Sequence, residues 1–147
     1  RTTTFDQPYI VMAYDSRSDK FSKVKQMFGA LRPGGTTPEG LCFEAILKNF
    51  LSTNNDMDSY FLNLSDGEPY FAGKGYYYAG EPAAYHTKKM IGKIQDMGIK
   101  TLSYFIEDSY KSPMNLFKIM YGPSAERIDV TNLAQVTKSM NKMFLQK

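Results

Sequence analysis

Along the chain, some segments have apolar residues with the spacing typical of strands, and others have them with the spacing typical of helices. Residues 9–14 read YIVMAY, a short apolar run ended by Asp15, and this pattern predicts a strand buried on both faces, as in parallel sheets. A helical repeat comes next and ends at the Pro-Gly-Gly of residues 33–35. Its apolar members are Phe21, Val24, Phe28 and Leu31.

The same alternation continues through the middle of the chain. Thr37-Pro38-Glu39 is typical of a helix start, with a hydroxyl cap and a proline in the first turn, and the helix is predicted to run to about Thr53. Residues 59–65, SYFLNLS, predict the next strand. A helix over residues 83–97 follows, with Gly98 as its C-terminal cap.

The last third of the chain predicts two more strands and two more helices. The strands cover residues 99–106 and 126–130, and the helices cover 113–122 and 132–146. Residues 66–82, rich in glycine and tyrosine, are predicted to form a long loop. Strands alternating with helices predict a doubly wound α/β fold, a mostly parallel sheet with helices on both faces, as a single domain over residues 1–147.

Composition narrows the class of protein. The net charge of +3 and the lack of a basic block argue against nucleic-acid binding, and no apolar run approaches the roughly eighteen residues of a membrane span. A lone cysteine, Cys42, between Leu41 and Phe43, predicts a buried, inert thiol and favours a reducing, cytoplasmic compartment.

Two segments carry candidate chemistry, PGGTTPEG at residues 33–40 and NLSDGEP at residues 63–69. Asp66 directly follows a predicted strand, so its carboxylate is expected at the carboxyl edge of the sheet, where ligands of such folds bind. The glycine-rich loop with Thr36 and Thr37 leads to the same edge. Carboxylate and hydroxyl oxygens suit Mg²⁺ or a similar hard cation. As alternatives, Asp66 belongs to an ordinary turn, and Thr37 is only a helix cap.

Signals of catalysis are weak. The chain has neither the G-K-[ST] of a phosphate loop nor an H-E-x-x-H or G-x-S-x-G motif, and its single histidine, His86, is expected at the surface or at a helix cap. No catalytic residue is assigned. The enzyme alternative is a small α/β hydrolase that uses Asp66 as a nucleophile or metal ligand.

The segments PGGTTPEG and YFLNLSDGEP resemble the second and third segments of a von Willebrand factor A (VWA) domain. The resemblance implies a metal-ion-dependent adhesion site (MIDAS) that takes Thr36 and Asp66 as ligands, with Thr37 as the runner-up for Thr36. The remainder of the chain resembles a bacterial and phage branch that includes the cobaltochelatase T-type subunits and nitric-oxide-reductase activation proteins. That likeness implies a protein partner, an AAA+ ATPase subunit.

The chain departs from the family at one point. The D-x-S-x-S segment of the first strand is missing, because residues 15–19, DSRSD, lack serines at the required spacing. We expect that segment upstream of Arg1, and therefore weak or absent Mg²⁺ binding by this chain alone. Exposed tyrosines of the predicted loop, Tyr76, Tyr77 and Tyr78, are expected to contact the protein partner together with Glu68.

Overall fold

A computed structural model describes residues 9–30, 35–49, 51, 58–73, 75–106, 114–128 and 133–145. Its helices are α1 (Ser22–Ala30), α2 (Glu39–Asn49), α3 (Gly80–Asp96), α4 (Met114–Tyr121) and α5 (Leu133–Leu145). Its strands are β1 (Tyr60–Ser65), β2 (Phe71–Gly73), β3 (Tyr76–Tyr78), β4 (Lys100–Ile106) and β5 (Ala125–Ile128).

Three of the strands form a parallel sheet in the order β1-β4-β5. Leu62 lies opposite Leu102 between the first two strands, and Tyr104 lies opposite Glu126 between the last two. The crossovers between these strands contain α3 and α4, as parallel pairing requires. The predicted α/β fold with a parallel sheet is confirmed.

Helices cover both faces of this sheet. On one face, Phe105 belongs to a buried cluster with Ile94 of α3 and Phe117 of α4. On the other face, Tyr104 and Ile128 are packed against α5. Successive residues of β4 thus point to opposite sides, and residues 102–105 are buried on both faces of the sheet.

One predicted strand does not form. Residues 9–14 have no strand conformation, and Tyr9 and Val11 remain 73% and 68% exposed. An apolar run indicates that burial of the segment is favourable, but a strand also needs a neighbouring strand that completes its hydrogen bonds. Within the described residues, no strand pairs with this segment, and the prediction of a buried strand is wrong here.

The predicted long loop is also wrong in part, because it contains an antiparallel hairpin. Phe71 lies opposite Tyr78 and Gly73 opposite Tyr76 in the pairing of β2 with β3. Helix α2 ends earlier than predicted, since Leu51 is not helical. The predicted starts of the last two helices, at residues 113 and 132, lie outside the described residues.

In the described part of the chain, no helix combines the length and the apolar character that a membrane span requires.

Candidate functional site

The carboxyl end of β1 is closed by a tight turn that holds Asp66 at the surface. Ser65 is buried, and its hydroxyl oxygen accepts a hydrogen bond from the Gly67 N–H at 2.9 Å. Asp66 is exposed, and its Oδ1 accepts a bond from the Glu68 N–H at 3.2 Å. Side chains that bond the backbone two residues onward are typical of Asx turns and their serine counterparts. The carboxylate of Asp66 therefore stands at the rim of the sheet in a defined turn.

Gly67 is required by this turn for two reasons. Its φ is +82°, a value that L side chains rarely adopt. A Cβ at this position would also lie 2.7 Å from Cε2 of Phe105, a ring that is 1% exposed in the core. The Asp-Gly pair of the sequence is thus a turn, as one interpretation of the sequence held, and the turn is packed directly on the core.

The start of α2 lies against the segment that follows this turn. Gly35 has a φ of +85°, and the next two residues, Thr36 and Thr37, are exposed. The carbonyl of Thr37 accepts hydrogen bonds from the Glu39 N–H at 3.0 Å and from the Tyr70 N–H at 3.2 Å. The second bond joins the glycine-rich loop to the segment after Asp66.

A buried carboxyl group lies behind this junction. Glu39 is 3% exposed, and its Oε2 accepts a hydrogen bond from the Tyr121 hydroxyl at 2.8 Å. The Tyr121 oxygen in turn accepts a bond from Nδ2 of Asn63 at 2.8 Å. Burial raises the pKa of Glu39, hydrogen bonds from Ser65 and Tyr121 oppose that rise, and the negative charge of Asp66 adds to it.

The phenol of Tyr121 remains a donor in this network. Burial and then the negative charge of Glu39 raise the pKa of Tyr121, so its hydroxyl keeps its proton. The bond joins residues that are 82 positions apart in the chain and connects α4 to the start of α2. Sequence reasoning did not single out Tyr121, because the end of a short helix carries no signal of a distant carboxyl partner.

The structure thus brings the two predicted segments together. The Thr37–Tyr70 backbone bond joins the loop before α2 to the segment after β1, and Glu39 and Ser65 are both buried beside it. The predicted metal ligands, Thr36 with its runner-up Thr37 and Asp66, belong to these adjoining segments. Their role in binding a cation remains a proposal.

The donors fit a hard cation in kind but are few in number. They comprise one exposed carboxylate, that of Asp66, and the exposed hydroxyls of Thr36 and Thr37. A cluster of three or more His, Cys, Asp or Glu residues suited to a metal does not occur in the described residues. Because Mg²⁺ and Ca²⁺ take roughly six or more oxygen ligands, water or a partner's oxygens have to supply the rest.

The hairpin beside this junction exposes two of the three predicted contact tyrosines. Tyr76 is 50% and Tyr77 73% exposed, and Glu68 is also exposed. Tyr78 is 7% exposed, so the prediction of an exposed contact is wrong for this residue. Tyr78 lies opposite Phe71 in the hairpin and reaches the core because it packs with Phe71 and with Ala83 of α3 in a buried cluster.

Tyr78 and His86 form a second, partly buried network, which joins β3 to α3 and extends towards α2. The Tyr78 hydroxyl donates to the Ala83 carbonyl at 3.0 Å and lies 3.0 Å from Nδ1 of His86 and 3.3 Å from Oγ1 of Thr87. The other ring nitrogen of His86, Nε2, lies 3.7 Å from Oε2 of Glu44. His86 is therefore a link between two helices, whereas the sequence predicted a surface or capping residue.

Cys42 shows no sign of a reactive thiol. Its side chain is half-buried, and burial followed by the negative charge of Glu39 raises the pKa of the thiol. A raised pKa lowers the fraction of thiolate, which is the nucleophilic form. Cys42 is thus less buried than predicted, while its raised pKa agrees with the predicted low reactivity.

A surface groove of about 410 Å³ lies at the other end of the sheet. Its lining includes Ile99, Lys100 at the start of β4, and Lys142 of α5. None of its lining residues belongs to the loops around Asp66 or Thr36. The groove is therefore separate from the candidate site.

Comparisons of this chain with models of protein families, with curated protein sequences and with solved structures find no match.

Proposed function

We propose that this chain is a protein-recognition domain of the VWA type, in which a Mg²⁺ ion held at a MIDAS-like site bridges to an acidic side chain of a partner. The observation that carries the proposal is the junction between the start of α2 and the carboxyl end of β1. That junction contains the predicted ligands Thr36 and Asp66, and it is tied by the Thr37–Tyr70 backbone bond and by the buried Glu39.

The electrostatics of the junction suit a cation. Asp66 is exposed, and within the described residues no lysine or arginine lies at salt-bridge distance from it. Glu39 lies behind it with a raised pKa that the charge of Asp66 helps to maintain. A divalent cation would offset this concentration of carboxyl groups, and Asp66, Thr36 and Thr37 would hold it through hard oxygen atoms.

The bound cation would supply a positive charge between two carboxylates, one from Asp66 and one from the partner. With few ligands from the protein, affinity for the free ion is low and rises when the partner adds its oxygen atoms. The partner proposed from the resemblance is an AAA+ ATPase subunit of a cobaltochelatase-like complex in a bacterial or phage system. On this proposal the chain is a cytoplasmic adaptor and carries no catalytic residue of its own.

The cation site can be tested with Mn²⁺ as a paramagnetic probe in NMR. We expect substoichiometric Mn²⁺ to broaden the amide signals of Thr36, Thr37, Asp66 and Gly67, because broadening reports even millimolar binding. Asp66→Asn is expected to abolish this broadening, since it removes the only carboxylate of the set. Millimolar Mg²⁺ is expected to leave the melting temperature nearly unchanged, because a ligand present near its Kd adds only about 0.4 kcal/mol.

Asp58→Asn is the matched control. Asp58 is also exposed and precedes the same strand, but at its amino end, where it lies 3.6 Å from Lys100. Broadening that survives in Asp66→Asn, or that is lost in Asp58→Asn, would exclude the proposed site. In a pull-down with the purified ATPase, the adaptor function further requires capture that depends on Mg²⁺ and on Asp66.

The second candidate function is a metal-dependent hydrolase that uses the crevice at Asp66. The observation in its favour is a pair of carboxyl groups, exposed Asp66 and buried Glu39. Hydrolases often use two carboxyl groups in different environments, one as the acid and the other as the base. We expect the isolated chain with Mg²⁺ or Mn²⁺ to hydrolyse no member of a phosphate-ester panel faster than Asp66→Asn does. Turnover that disappears in Asp66→Asn would instead establish the hydrolase.

A further inference from the structure

The outer face of the hairpin presents an exposed aromatic surface, which we call the tyrosine face and define as Tyr70 and Tyr77. Both side chains are exposed, Tyr77 more than Tyr70. The rings of Tyr70 and Tyr77 meet edge to face, with centroids 5.9 Å apart and planes at 89°. Since the Tyr70 N–H is bonded to the Thr37 carbonyl, the ring pair is fixed relative to the start of α2.

Three carboxylates lie close to the tyrosine face along the chain. Asp66 and Glu68 precede Tyr70, and Glu81 lies in the first turn of α3 directly after the hairpin; all three are exposed. Among the described residues none of these carboxylates forms a salt bridge. The single lysine of residues 66–85, Lys74, lies outside the described residues.

Exposed aromatic rings next to exposed carboxylates favour a cationic ligand. The faces of aromatic rings carry negative electrostatic potential and attract cations, arginine most often. A partner that brought only acidic residues would be repelled by Asp66, Glu68 and Glu81 wherever the bridging cation did not reach. Charge complementarity therefore calls for basic residues on the partner next to its acidic one.

We infer that the tyrosine face binds an arginine-bearing segment of the protein partner, whose guanidinium groups stack on Tyr70 and Tyr77 and pair with Glu68 and Glu81. The inference rests on the proposed function in one respect, that the hairpin contacts a protein partner. It does not require the cation. Arginine is favoured over lysine because its planar guanidinium both stacks on rings and pairs with carboxylates through two hydrogen bonds.

The test uses fluorescence anisotropy with a short labelled peptide of alternating glycine and arginine, amidated at its carboxyl end, in buffer with a chelator. We expect the arginine peptide to bind, the matching lysine peptide to bind more weakly, and the matching glutamate peptide not to bind. Binding is expected to weaken as NaCl rises from about 25 mM to about 200 mM, because the contact is exposed and screened.

Variants locate the contact. Tyr77→Ala is expected to weaken arginine-peptide binding about two- to fivefold, and Tyr77→Phe to retain it, because the ring face is kept. Glu68→Gln combined with Glu81→Gln is expected to weaken binding and to reduce its salt dependence. The control is Tyr85→Ala, which removes another exposed tyrosine, one helical turn before Lys88 and Lys89, and is expected to leave binding unchanged.

Each result bears on the inference. Absence of binding, equal binding of arginine and glutamate peptides, or equal losses in Tyr77→Ala and Tyr85→Ala would overturn it. Since the peptide has no carboxylate and the buffer no free divalent cation, such a failure leaves the Mn²⁺ experiment on Asp66 untouched. Conversely, failure of the Mn²⁺ experiment with success here would leave a peptide-binding hairpin without a metal site.

Discussion

Gly40→Ala is expected to lower the free energy of unfolding by about 2 kcal/mol, although alanine is the better helix former. Gly40 lies in the first turn of α2 and is buried. A Cβ there would collide with the Tyr78 hydroxyl and would lie 2.8 Å from Nδ1 of His86 and 2.9 Å from Oγ1 of Thr87. Helices α2 and α3 would have to separate, and the buried hydrogen bonds of Tyr78 would weaken.

Gly92→Ala is the matched control for this effect. Gly92 lies within α3, and a Cβ there would meet nothing within 4 Å. That substitution is expected to stabilise the protein by about 0.5–1 kcal/mol. Urea denaturation of both variants measures the change in the free energy of unfolding, which is expected to be opposite in sign for the two substitutions. A stabilising Gly40→Ala would show that α2 and α3 are not packed this closely.

A double-mutant cycle identifies the atoms responsible. In the background of Tyr78→Phe the hydroxyl that the new methyl group meets is gone, so Gly40→Ala is expected to cost less there than in the unmodified protein. The two substitutions are thus expected to be non-additive, in the direction of rescue. Additive losses would assign the cost of Gly40→Ala to His86 and Thr87 instead.

Glu39 is expected to make the protein less stable as pH rises above about 4.5, the ordinary pKa of a glutamate. Burial raises its pKa in the folded protein, so between the unfolded and the folded pKa the folded state binds the extra proton. The free energy of unfolding then falls with increasing pH, by at most about 1.4 kcal/mol per pH unit for this one group. The loss is complete once the pH exceeds the raised pKa.

Two substitutions at this position separate the charge of Glu39 from its hydrogen bonds. Glu39→Gln keeps an acceptor for the Tyr121 hydroxyl but cannot ionise, so its stability is expected to fall less with pH than that of the unmodified protein. Glu39→Ala leaves the Tyr121 hydroxyl without its acceptor. That variant is expected to lose about 2–4 kcal/mol near pH 4, and less at neutral pH, where the unmodified protein already bears the cost of the buried charge.

Urea denaturation from about pH 4 to about pH 8 measures both effects, and the difference between variant and unmodified protein cancels the titration of all other groups. The carboxyl groups whose pKa is lowered, such as Asp15 beside Arg17, would change stability in the opposite direction and at lower pH. If Glu39→Gln and the unmodified protein showed parallel pH profiles, Glu39 would not have a raised pKa.

Elements with a strong apolar repeat were predictable from the sequence. Met90, Ile91 and Ile94 recur at helical spacing and are buried in the predicted helix, α3, and Gly98 follows that helix with a φ of +79°. The strand before Asp66 was predictable because an apolar run of strand length ends at turn residues. In these cases the local pattern and the tertiary contacts favour the same conformation.

The hairpin was not predictable in the same way. Its strands have only three residues each, and the glycines around Tyr76 and Tyr77 are typical of a loop. The burial of Tyr78 depends on its hydroxyl meeting Ala83, His86 and Thr87, which lie on α3. Short strands acquire their stability from such contacts and leave little periodicity in the sequence.

By itself the sequence determined the alternation of strands and helices, the position of Asp66 after a strand and the hydroxyl-rich loop before α2, because these depend on local spacing and turn residues. Only the tertiary structure decided that Glu39 is buried against Tyr121, that Tyr78 points inward, and that residues 9–14 form no strand. Each of these depends on a partner that is distant along the chain. The local pattern indicates which side chains and backbone groups favour burial or hydrogen bonding. Only the folded chain decides which partner each of them contacts.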